Sequence, residues 1–340
     1  MTTSTVTTPL HATARELVGT GRGILAADES ISTMSKRLEG AGVAPTGTNR
    51  RDYRELLVTT PGLADGASGV ILCDETLRQS LTDGRPFPVA CAELGILPGI
   101  KVDTGAKPLA GAPDETVTEG LDGLDDRLAE YAEMGARFAK WRAVLTISGT
   151  TPTRWAQAAN AHALARYARS CQEAGLVPVV EPEVLMDGAH SLSECASITE
   201  STLLSVTRAL TAAGVDPAGM VLKPNMVLPG AECPQQSSPA QVARATVEVL
   251  RCAVSPRLAG VAFLSGGQSP ETATANLAAL QELDVSWPLT FSFGRALVSP
   301  ALEAWGGDPD HVADGQAALA HHVDANAAVL RDDRSSERTG

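Results

Sequence analysis

The chain alternates between short, almost wholly apolar runs and longer segments in which apolar residues recur every three or four positions. Eight of the runs have the length of a β-strand, and most end at a polar residue or a glycine. They span Gly23–Asp28, Gly69–Asp74, Gly99–Asp103, Phe138–Leu145, Val177–Glu183, Met220–Asn225, Val261–Gly266 and Leu289–Gly294. Apolar runs without a polar alternation are typical of strands buried on both faces, as in parallel sheets.

The segments between the runs carry helix signals. A hydroxyl residue followed by proline, the pattern of a helix cap with proline at the first helical position, occurs at Thr151-Pro152, Ser238-Pro239 and Ser269-Pro270. Over Arg154–Glu173 apolar residues repeat at helical spacing, and Gly175 follows where a helix would end. We therefore expect a helix after most of the strands.

Eight strand–helix alternations predict an α/β fold, a single-domain (β/α)₈ TIM barrel over residues 10–330. Residues 1–9 are expected to form a disordered tail, residues 331–340 a flexible one, and residues 103–123 a long loop near the site. A doubly wound open sheet is the alternative, although no G-x-G-x-x-G motif follows the first run.

Charged residues collect at the ends of the predicted strands. In a barrel these ends face one mouth, where polar residues indicate function more often than stability. The positions are Asp28, Lys101, Asp103, Lys140, Arg142, Glu181, Glu183, Lys223 and Ser265. A structural ion-pair network is the alternative reading, but such networks stabilise a core poorly because desolvation offsets their attraction. The crowding therefore favours catalysis.

A buried lysine is the most informative member of this set. Lys223 ends an apolar run just before Pro224, and burial favours its neutral amine, which attacks carbonyl groups. Two ammonium groups about 5 Å apart repel by roughly 3 kcal/mol at an effective dielectric near 20, or about two pKa units. The spacing leaves open whether Lys140 or Lys223 is the lysine with the lowered pKa. A rim lysine that simply meets a carboxylate also remains possible for Lys223.

The last two predicted strands are followed by residues suited to a phosphate. Ser265-Gly-Gly-Gln268 follows the seventh run and Gly294-Arg295 the eighth. Glycines let backbone N–H groups approach an anion, and an arginine can bind it with two donors. Loops at these two positions are a frequent phosphate site in barrels.

Composition narrows the class of partner. The formal charge of −13 argues against nucleic acid as the main partner, and no apolar run reaches the roughly 20 residues of a membrane helix. The first residues show neither the basic start nor the apolar core of a secretory signal, and the six cysteines form no C-x-x-C pair. We therefore expect a cytoplasmic protein with reduced thiols and no membrane partner.

Seven motifs together resemble class I fructose-bisphosphate aldolase. They are Gly23–Ser30, Asp83–Pro88, Phe138–Arg142, Val180–Glu183, Leu222–Val227, Phe263–Gln268 and Leu289–Leu297. The match is colinear from about residue 10 to about residue 330. The resemblance implies reversible cleavage of fructose 1,6-bisphosphate to dihydroxyacetone phosphate and glyceraldehyde 3-phosphate, without metal or cofactor, in glycolysis and gluconeogenesis. It also implies a homotetramer.

The resemblance assigns a role to each candidate residue. Lys223 would form the Schiff base beside the cationic Lys140, Glu181 would act as general acid and base, and Asp28, helped by Glu183, would take the C4 hydroxyl proton. The residues implied for the substrate and its phosphates are Ser265, Gly266, Gly294 and Arg295 at one end, and Lys101, Ser30, Arg37 and Arg142 elsewhere in the site.

Two departures from the family pattern bear on activity. The animal and plant members end in a tail with a terminal tyrosine, which this sequence lacks, and Phe293 replaces the usual tyrosine before Gly294. We expect the second change to remove a hydroxyl from the phosphate side. Preference between bisphosphate and monophosphate ketoses therefore stays open. There are two rival functions: a different enzyme on the same scaffold that acts on another ketose phosphate, and a non-catalytic binding role.

Overall fold

Eight parallel strands close into a barrel in the computed structural model, which describes residues 8–336, with side chains as far as Arg331. A two-stranded hairpin follows the third barrel strand. In chain order the strands are β1 (Gly23–Ala27), β2 (Ala67–Leu72), β3 (Leu97–Lys101), the hairpin strands β4 (Gly105–Pro108) and β5 (Thr116–Glu119), β6 (Phe138–Leu145), β7 (Val177–Val184), β8 (Val221–Leu222), β9 (Gly260–Phe263) and β10 (Leu289–Phe293). Strand β1 pairs with both β2 and β10, so the sheet has no free edge. The predicted TIM barrel is confirmed, and the open sheet is wrong.

Helices surround the barrel and connect its strands. They are α1 (Pro9–Val18), α2 (Ile31–Gly40), α3 (Gly47–Val58), α4 (Leu63–Gly66), α5 (Asp74–Leu77), α6 (Phe87–Glu93), α7 (Leu124–Glu133), α8 (Arg154–Glu173), α9 (Leu192–Ala212), α10 (Pro239–Ala253), α11 (Pro270–Gln281), α12 (Arg295–Trp305) and α13 (Val312–Ser336). Short 3₁₀ turns span Pro217–Gly219 and Pro309–His311. Every residue of β1, β2, β7, β9 and β10 is buried, as expected for strands covered on both faces.

Apolar side chains fill the lower half of the barrel, and α1 closes that end. The interior cluster joins Ile24, Phe138 and Val179 to Leu17 of α1. Phe138 needs space on the neighbouring strand, because a Cβ on Gly99 would lie 2.3 Å from its ring. This packed floor leaves room for polar side chains only in the upper half, at the carboxyl ends of the strands.

The sixth barrel strand is shorter than its apolar run. The prediction over Met220–Asn225 was wrong in extent, because only Val221–Leu222 belong to β8. Pro224 has no N–H group to donate to a ladder. The Lys223 N–H nevertheless donates to the Val180 carbonyl at 2.8 Å. The backbone at Lys223 is therefore held by β7 although the strand has ended.

Two local expectations need correction. The segment 103–123 is not simply a loop, because β4 and β5 pair antiparallel within it from Gly105 opposite Glu119 to Pro108 opposite Thr116. Thr151 is not a helix cap, because α8 begins at Arg154 and Thr153 caps it by accepting a hydrogen bond from the Ala156 N–H. The other two Ser-Pro predictions are confirmed, since α10 and α11 begin at Pro239 and Pro270.

The expected tails fall largely at the limits of the described residues. The tail predicted over residues 1–9 lies outside them except at its end, where the Thr8 side chain caps α1. The tail predicted over residues 331–340 begins inside α13, which continues to Ser336, and its remainder lies outside the described residues. Across residues 8–336, none of the helices combines the length and the apolar character needed to cross a membrane.

Candidate active site

A cavity of about 550 Å³ opens at the carboxyl ends of the barrel strands. All thirteen residues to which the resemblance assigns a role line it. They are Asp28, Ser30, Arg37, Lys101, Lys140, Arg142, Glu181, Glu183, Lys223, Ser265, Gly266, Gly294 and Arg295. The geometry of the barrel explains this convergence, because side chains two apart on each strand point to the same side and every strand ends at this mouth.

Lys223 projects into the cavity from the end of β8 and is almost fully enclosed. Its side chain is 3% exposed, and its Nζ lies 3.3 Å from Glu181 Oε1. Burial lowers the pKa of Lys223, and although Glu181 opposes this shift, the charge of Lys140 adds to it, so the net pKa is below its ordinary value. Lys223 therefore has a larger neutral fraction than a solvent-exposed lysine.

Lys140 is equally buried but has different neighbours. Its Nζ lies 2.6 Å from Asp28 Oδ2 and 3.0 Å from Glu181 Oε2. Burial by itself would lower the pKa of Lys140, but the two carboxylates reverse the effect, and the net pKa is well above its ordinary value. Lys140 is therefore a permanent cation. The structure thus separates the two lysines that the sequence left equivalent.

The carboxylates of this cluster respond to the same charges. Burial alone would raise the pKa of Asp28, yet Lys140 and then Lys223 bring it below its ordinary range. Burial also acts to raise the pKa of Glu181, and the same two lysines again produce a net lowering. Both groups are ionised at neutral pH, so each can accept a proton. Glu181 stands between the two lysines and contacts both.

Two further cations of the cavity are already paired. Arg142 Nε lies 2.6 Å from Glu183 Oε2, and Lys101 Nζ lies 2.5 Å from Asp103 Oδ1. Arg142 is 41% exposed, so its guanidinium reaches the cavity while its partner Glu183 stays buried. These pairs place positive groups along the wall formed by β3, β6 and β7.

The opposite wall carries an arginine without a carboxylate partner. Among the described residues Arg295 makes no ion pair, and it is the first residue of α12, whose cap Gly294 supplies no side-chain hydrogen bond. Ser265 and Gly266 lie beside it after β9, and Gly266 adopts φ +57°, a conformation that favours glycine. A helix N-terminus next to an unpaired guanidinium is suited to an anion.

A second anion-binding wall begins at α2. Ser30 caps this helix through the Thr33 N–H, and its hydroxyl faces the cavity mouth. Arg37, one turn before the helix ends, also lines the cavity and donates from Nη1 to Glu29 Oε1. With Lys101 these residues form a second polar wall of the cavity.

Glu29 and Ser292 line this cavity but are not among the residues proposed from the sequence. The buried Ser292 hydroxyl lacks a partner within the described residues. Asp103, which the sequence placed at a strand end, also lines the cavity and pairs with Lys101. Ser292 was detectable, because it lies two positions before Gly294 on the same face of β10.

The expected effect of Phe293 was wrong for the same geometric reason. Its side chain is fully buried in the layer between the barrel and its helices and contacts Phe291, with the ring centroids 5.5 Å apart. Ser292 and Gly294 face the cavity, so Phe293 between them faces away. The Phe293 ring does not line the phosphate side, and a hydroxyl on it would lie outside the cavity.

The closed (β/α)₈ barrel holds two buried lysines between carboxylates, and two walls of its cavity are suited to anions. This combination defines a barrel enzyme for carbonyl chemistry on an anionic substrate. The model of the family "Glycolytic: Fructose-bisphosphate aldolase class-I" matches residues 9–337. The chain belongs to the class-I fructose-bisphosphate aldolase family, and it is accordingly a lyase that acts on a phosphorylated ketose through a Schiff base and needs no metal.

Individual relatives agree with the family match. A Xanthomonas campestris protein named "Probable fructose-bisphosphate aldolase class 1" is 53% identical over 300 residues, which are 88% of this chain and 90% of that protein. "Fructose-bisphosphate aldolase 5, cytosolic" of Arabidopsis thaliana is 50% identical over 317 residues, 93% of this chain and 88% of the plant protein. A crystal structure of Plasmodium falciparum fructose-bisphosphate aldolase, in complex with TRAP and a small-molecule inhibitor, superposes with a TM-score of 0.93 at 45% identity, covering 95% of this chain and 94% of that one.

Proposed function

We propose that Lys223 is the residue that forms the Schiff base with C2 of fructose 1,6-bisphosphate. The observation that carries this assignment is the contrast between the two lysines: Lys140 touches two carboxylates, whereas Lys223 lies 3.3 Å from one and has the lowered pKa. Only a neutral amine attacks a carbonyl carbon. Lys140 remains protonated and serves as the fixed positive charge.

Glu181 carries the proton transfers of imine formation in this proposal. It is ionised before substrate binds and lies within reach of the Lys223 amine, so it accepts a proton as the carbinolamine forms. The C2 oxygen takes up a proton from solvent as the C2–N bond forms and becomes a hydroxyl. Glu181 then returns its proton to that hydroxyl, which leaves as water, and a protonated imine remains on Lys223. Its contact with Lys140 holds the carboxylate between the two nitrogens during both steps.

Asp28 takes the C4 hydroxyl proton when the C3–C4 bond breaks. The electron pair of that bond moves into the protonated imine, leaving an enamine on Lys223 and releasing the aldehyde product. Lys140, 2.6 Å from Asp28, lies where it can stabilise the developing oxyanion. Glu183, held by Arg142, assists from the adjacent wall.

The position of Lys223 supports assigning one phosphate to each wall. The C1 phosphate is one carbon from C2, so it belongs to the wall next to β8, formed by Ser265, Gly266, Gly294 and Arg295. The C6 phosphate is four carbons from C2, so we assign it to the other polar wall. Ser30, Arg37, Lys101 and Arg142 supply the donors there.

Borohydride trapping tests the central assignment. Reduction in the presence of fructose 1,6-bisphosphate should attach the ketose to the peptide that contains Lys223, as read by peptide mass spectrometry. Lys223→Met should lose both the adduct and turnover, whereas the exposed Lys107→Met, as a matched control, should keep both. An adduct on a different lysine, or full turnover by Lys223→Met, would contradict the assignment.

We also propose that the protein is a cytoplasmic homotetramer of glycolysis and gluconeogenesis, composed of one barrel domain between residues 10 and 330. The family resemblance supports the tetramer, and the word "cytosolic" in the names of the Arabidopsis relatives supports the compartment. Light scattering at physiological concentration measures the assembly directly, and a monomeric mass would contradict the tetramer.

A further inference from the structure

A fully buried arginine lies behind the active site and has no part in the chemistry above. Arg54, on α3, is 2% exposed, and its Nη2 lies 2.6 Å from Glu29 Oε2. The same nitrogen lies 3.4 Å from the Glu29 carbonyl, and Nη1 lies 3.4 Å from Met34 Sδ. Arginine does not lose its proton in proteins, so the charge is buried permanently and requires a counter-charge. Glu29 provides it.

Glu29 links this buried arginine to the cavity. Its Oε2 meets Arg54, while its Oε1 accepts a hydrogen bond from Arg37 Nη1. Glu29 is 8% exposed and Arg37 is 25% exposed, so the three groups run from the core to the cavity wall. Two guanidinium groups share one carboxylate, and one net positive charge therefore remains at the cavity end.

We propose that Arg54 and Glu29 are positioning residues that hold Arg37 in place for the C6 phosphate. The proposal rests on the function proposed above, which assigns the C6 phosphate to the wall that contains Arg37. Glu29 occupies a single donor of Arg37, and a guanidinium has five. Arg37 lines the cavity, and among the described residues its side chain makes no hydrogen bond besides the one to Glu29. Its other donors are therefore available to a phosphate, and the contact with Glu29 reduces the side-chain freedom lost on binding.

The opposite reading makes a different prediction. If Glu29 mainly competed with the phosphate for Arg37, removing it would strengthen binding of the bisphosphate. Arg54 argues against competition, because it already neutralises the carboxylate from behind. Substitutions of Glu29 and Arg54 therefore distinguish the two interpretations by whether KM for the bisphosphate rises or falls.

The double variant Glu29→Gln with Arg54→Met tests the proposal without burying an unpaired charge. It removes one negative and one positive group, so the net charge near Arg37 is unchanged and any effect reports on position. We expect KM for fructose 1,6-bisphosphate to rise about tenfold, as for the loss of one well-placed charged hydrogen bond. KM for fructose 1-phosphate, which lacks the C6 phosphate, should change by less than about twofold. A change of purely structural origin would affect both substrates equally.

A mutant cycle with Arg37→Ala completes the test. If Arg54 and Glu29 act through Arg37, adding their substitutions to Arg37→Ala should produce no further rise in KM for the bisphosphate. Equal losses with both substrates, additive losses in the cycle, or a fall in KM would each overturn the proposal. If the double variant fails to fold, Arg54→Lys replaces it, because lysine keeps the charge but lacks the forked guanidinium. The ratio of KM for the bisphosphate to KM for fructose 1-phosphate should then rise in the same way.

The trapping experiment separates failure of this inference from failure of the proposed function. With fructose 1-phosphate and borohydride, the double variant should still acquire the adduct on Lys223. Absence of the adduct in the unmodified enzyme would remove the proposed function itself. A normal adduct with an unchanged ratio of KM values would remove only the positioning role.

Discussion

Replacing Lys140 by methionine should destabilise the fold by an amount that depends on pH. The substitution keeps most of the volume of the side chain but removes the cation that lies 2.6 Å from Asp28 and 3.0 Å from Glu181. At an effective dielectric of about 20, contacts of these lengths attract by roughly 5.5–6.5 kcal/mol each before desolvation is subtracted. Removing one partner of a buried ion pair typically costs about 3–5 kcal/mol net. We expect the free energy of unfolding at pH 7 to fall by that amount.

The pH dependence follows from the directions of the pKa shifts. The folded pKa of Lys140 is above its ordinary value of 10.5, so its stabilising contribution is complete below pH 10.5 and is lost only as the pH rises through the folded value. The folded pKa of Asp28 is below its ordinary value of 3.8, so its contribution is present above pH 3.8 and is lost as the pH falls through the folded value. At pH 7 both contributions are present in the unmodified protein.

In the variant the two carboxylates lose their shared cation, and burial then raises their pKa values. Acid protonates them and removes the penalty of burying their charge. The difference in unfolding free energy between the unmodified protein and Lys140→Met should therefore be largest near pH 7 to 8 and should shrink as the pH approaches about 4.

Urea unfolding followed by circular dichroism, at one fixed protein concentration, measures this difference at each pH. Lys107→Met, which removes an exposed lysine of the hairpin, is the matched control and should change stability by less than about 0.5 kcal/mol. Adding Asp28→Asn to Lys140→Met should recover part of the loss, because one unpaired carboxylate disappears. A difference that stays constant from pH 8 to pH 4, or that equals the control, would refute the reasoning.

Two further predictions concern the individual steps. Asp28→Asn should retain Schiff-base formation but lose carbon–carbon cleavage, so borohydride should trap intact fructose 1,6-bisphosphate on Lys223; recovery of only the three-carbon adduct would contradict the role of Asp28. Glu181→Gln should slow imine formation by about 10²–10⁴-fold. The rate at which the variant forms the borohydride-trapped adduct in a single turnover measures this. A rate equal to that of the unmodified enzyme would exclude Glu181 as the general acid and base.

The sequence predicts where the site lies better than it predicts how its charges are distributed. Apolar runs identify the strands, and strand ends converge in any closed barrel, so all the proposed side chains meet in one cavity. The pairing of Glu29 with Arg54 joins α3 to the end of β1 across 25 residues. No local pattern encodes such a contact. The sequence pattern also did not predict where β8 ends. The strand ends at Leu222, although the run from which it was predicted continues to Asn225.

The two lysines illustrate why residue type and burial are insufficient to assign a mechanism. Both are 3–4% exposed, both follow apolar runs, and both face the same carboxylate. Their pKa values differ because Asp28 lies against Lys140, whose pKa rises, and not against Lys223, whose pKa falls. Burial acts to lower the pKa of both lysines, so the second carboxylate decides which pKa is raised. Making Lys140 the nucleophile would therefore require moving Asp28 from Lys140 to Lys223. If only the strands that carry the two lysines were exchanged, the raised pKa would belong to the lysine that Asp28 then contacts.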